Sequence, residues 1–185
     1  MQRREALKKT ALFIGGIAIA PELLAQALAD PSPTLSRQPA DRLALLAEMA
    51  DTILPDTDTP GAKAAKVHEF IAVVVEDCLS PEQRTAFWSG LQSADQQCVA
   101  MHGKSFVDCA PVQRTAFFQK LQADAKTAPK EAGEPFWYQL KNLTLHGYFT
   151  SETGATQALH YDPIPGGWIP DMIINEDTKA WTPVF

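Results

Sequence analysis

The residues whose chemistry could support a metal or catalytic site in this chain are its histidines, its cysteines and one acidic loop. The histidines are His68, His102, His146 and His160. None of them forms an H-x-x-x-H or H-x-x-E-H pair, the spacings at which a helix presents two ligands to zinc. The loop at residues 56–61 starts like a calcium loop, but its fifth position is Pro60 and its twelfth is Val67, where a bidentate glutamate is required. We therefore expect no metal site, and interpret the loop as a turn in which Asp58 or Thr59 caps the following helix and Gly61 has a positive φ.

Sequence motifs that bind cofactors or supply a nucleophile are also missing. The chain has no G-x-G-x-x-G after a strand, no phosphate-binding G-x-x-x-x-G-K-[ST] loop and no G-x-S-x-G. It has no C-x-x-C-H for covalent haem, and its cysteines are too few and too widely spaced for an iron–sulfur cluster. We expect no catalytic residue and no cofactor bound by this chain.

The three cysteines are Cys78, Cys98 and Cys109. In an oxidising compartment an odd number allows one internal disulfide and leaves one thiol over. Cys98 and Cys109 lie across a predicted turn and could pair. Cys78 falls on the apolar face of its helix, where we expect a small buried hydrophobic side chain.

The N-terminal residues have the order of an export signal. Two adjacent arginines precede an apolar run at residues 11–20 that stops at Pro21 and is too short to span a bilayer. Two A-x-A sites follow, and cleavage after Ala29 would remove residues 1–29. The motif residues are Arg3, Arg4, Leu7 and Lys8. These features predict a twin-arginine signal; the alternative is an amphipathic N-terminal helix of a cytosolic protein.

A twin-arginine signal is an address read by a receptor, and cargo of this class is exported already folded, often with a cofactor or a cofactor-bearing partner. The sequence therefore predicts passage through the twin-arginine translocase and a periplasmic location. The whole chain has a formal net charge of −6, and residues 1–29 hold four basic residues against two acidic ones, so the remainder is more acidic still. This charge argues against nucleic acid as a partner.

Helical spacing of apolar residues continues through most of the chain after a Pro/Ser linker at residues 30–39. One helix should end at Pro55, and a second should start near Val67. Ser80, Pro81 and Gln83 form a capping box for a third, which Gly103 should end. Fourth and fifth helices should start at the prolines of positions 111 and 135, with Val112 and Met101 among the inward-facing residues of the fourth and third. Residues 40–185 are predicted to be one all-α domain, a small bundle of about five helices.

Beyond Gly147 the sequence changes to aromatic residues among prolines and glycines. We expect an extended C-terminal arm there, in which no helix buries the aromatic side chains regularly. Such residues are enriched at protein interfaces, although they could instead fold back to close one end of the bundle. The candidate interface residues are Tyr148, Phe149, Tyr161, Pro165 and Trp168.

Three sequence blocks, together with the leader, resemble the gluconate 2-dehydrogenase subunit 3 family. They are ILPDTDTPGA at residues 53–62, VHEFI at 67–71 and LTLHGYFTSE at 143–152, followed by Tyr161 and Pro165-Gly166. The family comprises small subunits of membrane-associated flavin-dependent sugar and sugar-acid dehydrogenases. The resemblance covers nearly the whole chain.

The resemblance implies a non-catalytic subunit that binds a large FAD-containing dehydrogenase of the glucose-methanol-choline type. It would escort that partner through twin-arginine export and be held at the membrane through the complex, which often includes a multihaem cytochrome c subunit. Two alternatives are a free-standing periplasmic enzyme with an unrecognised site and a ligand-binding helical protein. The second of these predicts an apolar pocket inside the bundle.

Overall fold

Five α-helices occupy the part of the chain that the structure, a computed structural model, describes. They are α1 (Ala40–Ile53), α2 (Val67–Asp77), α3 (Pro81–His102), α4 (Pro111–Thr127) and α5 (Phe136–Phe149). A 3₁₀ turn, Phe106–Asp108, precedes α4, and a π-helical turn, Gly154–Ala158, follows α5. The described residues are 38–129, 133–164, 166, 167, 171 and 173–182, and they contain no β-strand. The prediction of an all-α bundle of about five helices is confirmed.

Several predicted features lie outside the described residues. These are the signal at residues 1–29, the linker up to residue 37, and the interface candidates Pro165 and Trp168. Among the residues that are described, no helix combines the length and apolarity that crossing a membrane requires.

The helix ends follow local sequence signals closely. Ser80 accepts a 3.3 Å hydrogen bond from the Gln83 amide, while the Ser80 amide donates to Gln83 Oε1 at 3.1 Å. Pro81 occupies the first position of α3, and Gly103 ends the helix with a φ of 74°. These two caps fix both ends of α3 as the sequence predicted.

The core lies around α5, which contacts each of the other four helices. Phe106 stacks on Phe118 with ring centroids 5.0 Å apart, and Trp137 of α5 meets Phe118 edge-on at 5.0 Å. The larger side chains that are at most 1% exposed include Leu46, Met49, Ile71, Val75, Phe87, Leu91, Cys98, Phe117 and Leu140. They come from all five helices, so the apolar faces meet in one core.

Three predicted core positions are wrong. Val112 is 80% exposed because it lies in the first turn of α4, which no other helix covers. Met101 is exposed in the last turn of α3, a helix of 22 residues that extends past its neighbours' packing. Cys78 is exposed because α2 ends at Asp77, before the cysteine can join the buried face. Periodicity identifies a helix face but not which of its turns are covered.

The loop between α1 and α2 differs from its prediction in two ways. Gly61 does not have a positive φ, whereas Lys66, the residue before α2, does at 55°. Neither Asp58 nor Thr59 caps that helix. Instead, Asp56 Oδ1 accepts from the Gly61 amide, and the next amide, that of Ala62, donates to the Leu54 carbonyl at 2.8 Å. The glycine is needed for close approach, since a Cβ at Gly61 would lie 2.6–2.7 Å from backbone atoms of the α1 end.

A largely buried ion pair joins helices that are distant in sequence. Glu48 of α1 accepts a 2.5 Å hydrogen bond from Arg114 Nη1 of α4, and Lys63 Nζ donates to the same carboxylate. The Arg114 guanidinium also donates to three backbone carbonyls in the segment before α4. They belong to Phe106, Val107 and Cys109. Arg114 therefore fastens this segment to the bundle.

We expect Glu48→Gln to reduce the free energy of unfolding at pH 7 by about 1–2 kcal/mol, because it removes the charge that Arg114 faces. Burial would raise the pKa of the Glu48 carboxyl, but hydrogen bonds from Lys63 and Arg114 outweigh it, so that this pKa lies below its ordinary value of 4.5. A lowered folded-state pKa stabilises the fold above the unfolded-state pKa, and the contribution is lost as pH falls through the folded-state pKa. Urea unfolding of variant and wild type should therefore give a difference that shrinks below pH 4.5.

The matched control is Glu69→Gln. The Glu69 carboxylate lies 3.9 Å from Lys66 Nζ at the surface, and such pairs contribute at most about 1 kcal/mol. A difference for Glu48→Gln that stays constant from neutral to acidic pH would contradict the role assigned to the carboxylate.

Candidate partner interface

Helix α5 continues two residues past Gly147, the position beyond which an extended arm was expected. A Cβ at Gly147 would lie 2.5 Å from Cδ1 of Phe70. The glycine therefore allows α2 to pack closely against α5, and α5 stays helical through this position. Tyr148 consequently falls on the inner face and is only 4% exposed. Its hydroxyl donates to the Pro60 carbonyl at 2.8 Å and lies 3.2 Å from Thr59 Oγ1. The prediction that no helix buries Tyr148 is wrong, and this side chain instead joins α5 to the α1–α2 loop.

Phe149, the next interface candidate, is partly buried against the core. Its ring meets the Tyr148 ring edge-on, with centroids 5.3 Å apart. Tyr161 is different, because it is 53% exposed and lies beyond the helical part of the chain. Of the three candidates that the structure describes, two pack on the bundle and one is presented to solvent.

The segment of residues 160–182, here called the arm, is closed at its base. The His160 amide donates to the Ala180 carbonyl at 2.8 Å, and the Thr182 amide donates back to the His160 carbonyl at 2.9 Å. The rings of His160 and Trp181 meet edge-on with centroids 4.3 Å apart. Thr182 Oγ1 also donates to the Ala155 carbonyl at 3.0 Å. The two ends of the arm are thus tied to each other and to the turn after α5.

Apolar side chains on the arm face solvent. Their exposed fractions range from 50% for Trp181 to 89% for Ile173. Among the described residues of the arm, the five such side chains are Tyr161, Ile164, Ile173, Ile174 and Trp181. Covering a large aliphatic side chain is worth about 1.5–3 kcal/mol, so their exposure is unfavourable in the isolated chain. Exposed apolar groups concentrated in one segment are typical of a surface that binds another protein.

Acidic residues alternate with these apolar groups along the sequence of the arm. The arm carries four carboxylates and one lysine, and the lysine is engaged, because Lys179 Nζ donates to the Gln157 carbonyl. The acidic residues are Asp162, Asp171, Glu176 and Asp177. Protein interfaces combine apolar groups with polar ones, and the acidic residues of the arm favour a basic partner surface.

The other surfaces of the described residues were compared with the arm for metal sites and ligand pockets. No group of three or more His, Cys, Asp or Glu in them could hold a metal ion. A groove of about 480 Å³ between α1 and α3 is lined in part by Asp41, Arg42, Asp95 and Asp108. Another of about 520 Å³ beside α5 is lined by both apolar and polar side chains, among them Leu79, Leu143, Glu82 and Gln139. Neither groove is an apolar pocket inside the bundle.

Comparison with protein-family profiles gives a match. The profile described as gluconate 2-dehydrogenase subunit 3 matches residues 40–166, more than half of the chain. The chain belongs to the gluconate 2-dehydrogenase subunit 3 family. Among curated proteins and solved structures, no significant similarity to this chain was found. As a member of the subunit 3 family, the chain is one component of a multi-subunit dehydrogenase.

The subunit 3 match covers all five helices and the first part of the arm. It includes Tyr161 and Ile164 but ends before Ile173, Ile174 and Trp181. Sequence reasoning selected aromatic residues on the arm and passed over its isoleucines. The adjacent Ile173-Ile174 pair, in a segment without helical or alternating periodicity, is the signal that could have identified them.

Proposed function

We propose that this protein is the escort and assembly subunit of a flavin-dependent dehydrogenase. In this proposal it binds a large FAD-containing subunit of the glucose-methanol-choline type, accompanies it through the twin-arginine translocase and stabilises the complex in the periplasm. Membership of the subunit 3 family supports a role as one component of a dehydrogenase complex. The observation that carries the proposal is the arm, with its solvent-exposed isoleucines and aromatic residues.

The chemistry of the arm agrees with binding to a folded protein surface. Aromatic and aliphatic side chains that enter pockets supply most of the affinity at such interfaces. The acidic residues of the arm would favour a partner site that carries lysine and arginine and would accelerate association at low salt. The tied base fixes the ends of the arm before binding, which lowers the conformational entropy lost on association.

The proposal assigns the redox chemistry to other subunits. FAD in the large subunit would oxidise the sugar or sugar acid, and a multihaem cytochrome c in a third subunit would pass electrons on towards the membrane. The role of this chain is then to deliver and hold the flavin subunit. The substrate would be selected in the large subunit.

Ile173→Asp combined with Ile174→Asp is expected to weaken binding to the large subunit about 30-fold or more, the loss typical of removing interface anchors. Both side chains are more than four-fifths exposed, so the free subunit should keep its helical circular dichroism and melting temperature. Co-purification of tagged large subunit with wild-type or variant small subunit measures the effect.

Val112→Asp provides the matched control. It introduces an aspartate at a side chain that is 80% exposed in the first turn of α4, outside the arm, and should leave recovery unchanged. Equal recovery of wild type and the double variant would remove the arm from the interface. Sugar oxidation by the small subunit alone would instead favour a free-standing enzyme.

A further inference from the structure

Two of the three cysteines meet inside the bundle. Cys98 lies on α3 and Cys109 in the segment before α4, and their Sγ atoms are 3.6 Å apart. Cys98 is 0% exposed and Cys109 is 4% exposed. Cys78 is at the surface, after the end of α2. The two buried thiols are close enough to react with each other, because only a small movement separates them from the bonding distance of about 2 Å.

We propose that Cys98 and Cys109 form a cross-linking site, which a disulfide-bearing oxidant converts to an intramolecular disulfide in which Cys78 takes no part. This goes beyond the proposed escort function and does not depend on it. The segment between α3 and α4 contains a single 3₁₀ turn. Cys109 can therefore approach Cys98 without disruption of an α-helix.

The chemistry is a pair of thiol–disulfide exchanges. Cys109, the more exposed of the two, attacks the disulfide of the oxidant as a thiolate and forms a mixed disulfide, and one oxidant thiol is released. Cys98 then attacks Cys109 Sγ and expels the second oxidant thiol. Two protein thiols become one disulfide, the oxidant's disulfide becomes two thiols, and the two protons pass from the cysteines to the released thiols.

Access limits the rate of this reaction in the folded protein. Burial, together with the hydrogen bond to Cys109, raises the pKa of the Cys98 thiol to about 12. The closed fold therefore holds Cys98 as an unreactive thiol, and exchange requires the segment before α4 to open. Arg114 opposes that opening through its hydrogen bonds to the carbonyls of Phe106 and Cys109, at 3.1 and 3.0 Å. A protein folded in a reducing compartment would thus be cross-linked slowly after transfer to an oxidising one.

The cross-link would hold the core together where an aromatic side chain enters it. Phe106, three residues before Cys109, is fully buried and stacks on Phe118. A disulfide across this short segment restricts the unfolded chain and keeps Phe106 close to α3. It would make the small subunit more resistant to unfolding.

The test uses the full chain, purified with reductant, freed of it and incubated with oxidised glutathione. Remaining thiols are alkylated and the protein is digested with trypsin, which cleaves after Lys104, between the two cysteines. The expected product is a disulfide-linked pair of peptides, residues 85–104 and 105–114, with Cys78 on a separate peptide in its alkylated or glutathione-bound form. The melting temperature of the oxidised chain should rise by about 5–10 °C.

Variants separate the proposal from simple thiol oxidation. Cys78→Ser should show the same rise in melting temperature, and Cys98→Ser should show none. Arg114→Lys should form the cross-link faster, because the segment before α4 opens more often. Wild-type protein with and without reductant gives the decisive comparison even if Cys98→Ser does not fold. Alkylation of both Cys98 and Cys109 after exposure to the oxidant, or a linked pair without a rise in melting temperature, would overturn the proposal.

Discussion

Replacing Arg3 and Arg4 together by lysine is expected to leave both this subunit and its flavin-containing partner in the cytoplasm. The substitution keeps the positive charge but removes the planar guanidinium groups, and a receptor that reads arginine geometry distinguishes the two side chains. Because the proposal gives the large subunit no signal of its own, its export should fail together with that of the escort. Fractionation followed by immunoblotting and a dehydrogenase assay on each fraction measures the loss.

Lys9→Arg is the control for this experiment, since it alters a basic residue of the leader without touching the arginine pair. It should leave export at the wild-type level. Recovery of the complex from the cytoplasm of the Arg3→Lys, Arg4→Lys strain would show that assembly precedes export. A large subunit that reaches the periplasm normally in that strain would disprove the escort role.

Gly61→Ala is expected to destabilise the bundle by about 2–4 kcal/mol, through overpacking against atoms that cannot move aside. The added Cβ would lie 2.6 Å from the Asp56 nitrogen and 2.7 Å from the Leu54 carbonyl oxygen. Both atoms belong to the backbone at the end of α1, where Leu54 also accepts the hydrogen bond from Ala62. Thermal unfolding should show a fall in melting temperature of roughly 5–12 °C.

Gly167→Ala is the matched control, because a Cβ at Gly167 meets no atom within 4 Å and its φ is not positive. Its melting temperature should stay within about 2 °C of wild type. If both variants have the melting temperature of the wild type, then the α1–α2 loop relaxes easily and does not depend on close contact at Gly61.

Local signals in the sequence predicted the helices well. A capping box at Ser80, a glycine after α3, a proline at the first position of α4 and another before α5 act through groups a few residues apart, so that no knowledge of the fold is needed to interpret them. Gly147 shows where this fails. Its role is set by Phe70 of another helix, and without that contact a glycine followed by two aromatic residues resembles a helix end.

The candidate site was predictable in its location but less so in its residues. Composition identified the arm, because prolines and glycines there exclude a helix. It could not show that Tyr148 reaches Pro60, or that Ile173, beyond the family match, is the most exposed large apolar side chain of the described residues. The Glu48–Arg114 pair escaped prediction for the same reason, since its partners are 66 residues apart and meet only when α1 and α4 pack.

The position of α5 at the centre of the bundle has a consequence for biosynthesis. The helix that contacts all the others is also the last of the five in sequence, so the ribosome must synthesise almost the whole domain before the core can close. In the proposed export, the N-terminal leader would leave the ribosome first and would be accessible while the rest of the chain is still incomplete. An export route that accepts folded cargo would therefore encounter a leader that is available long before its passenger is ready, and the time between the two events is set by the synthesis and docking of α5.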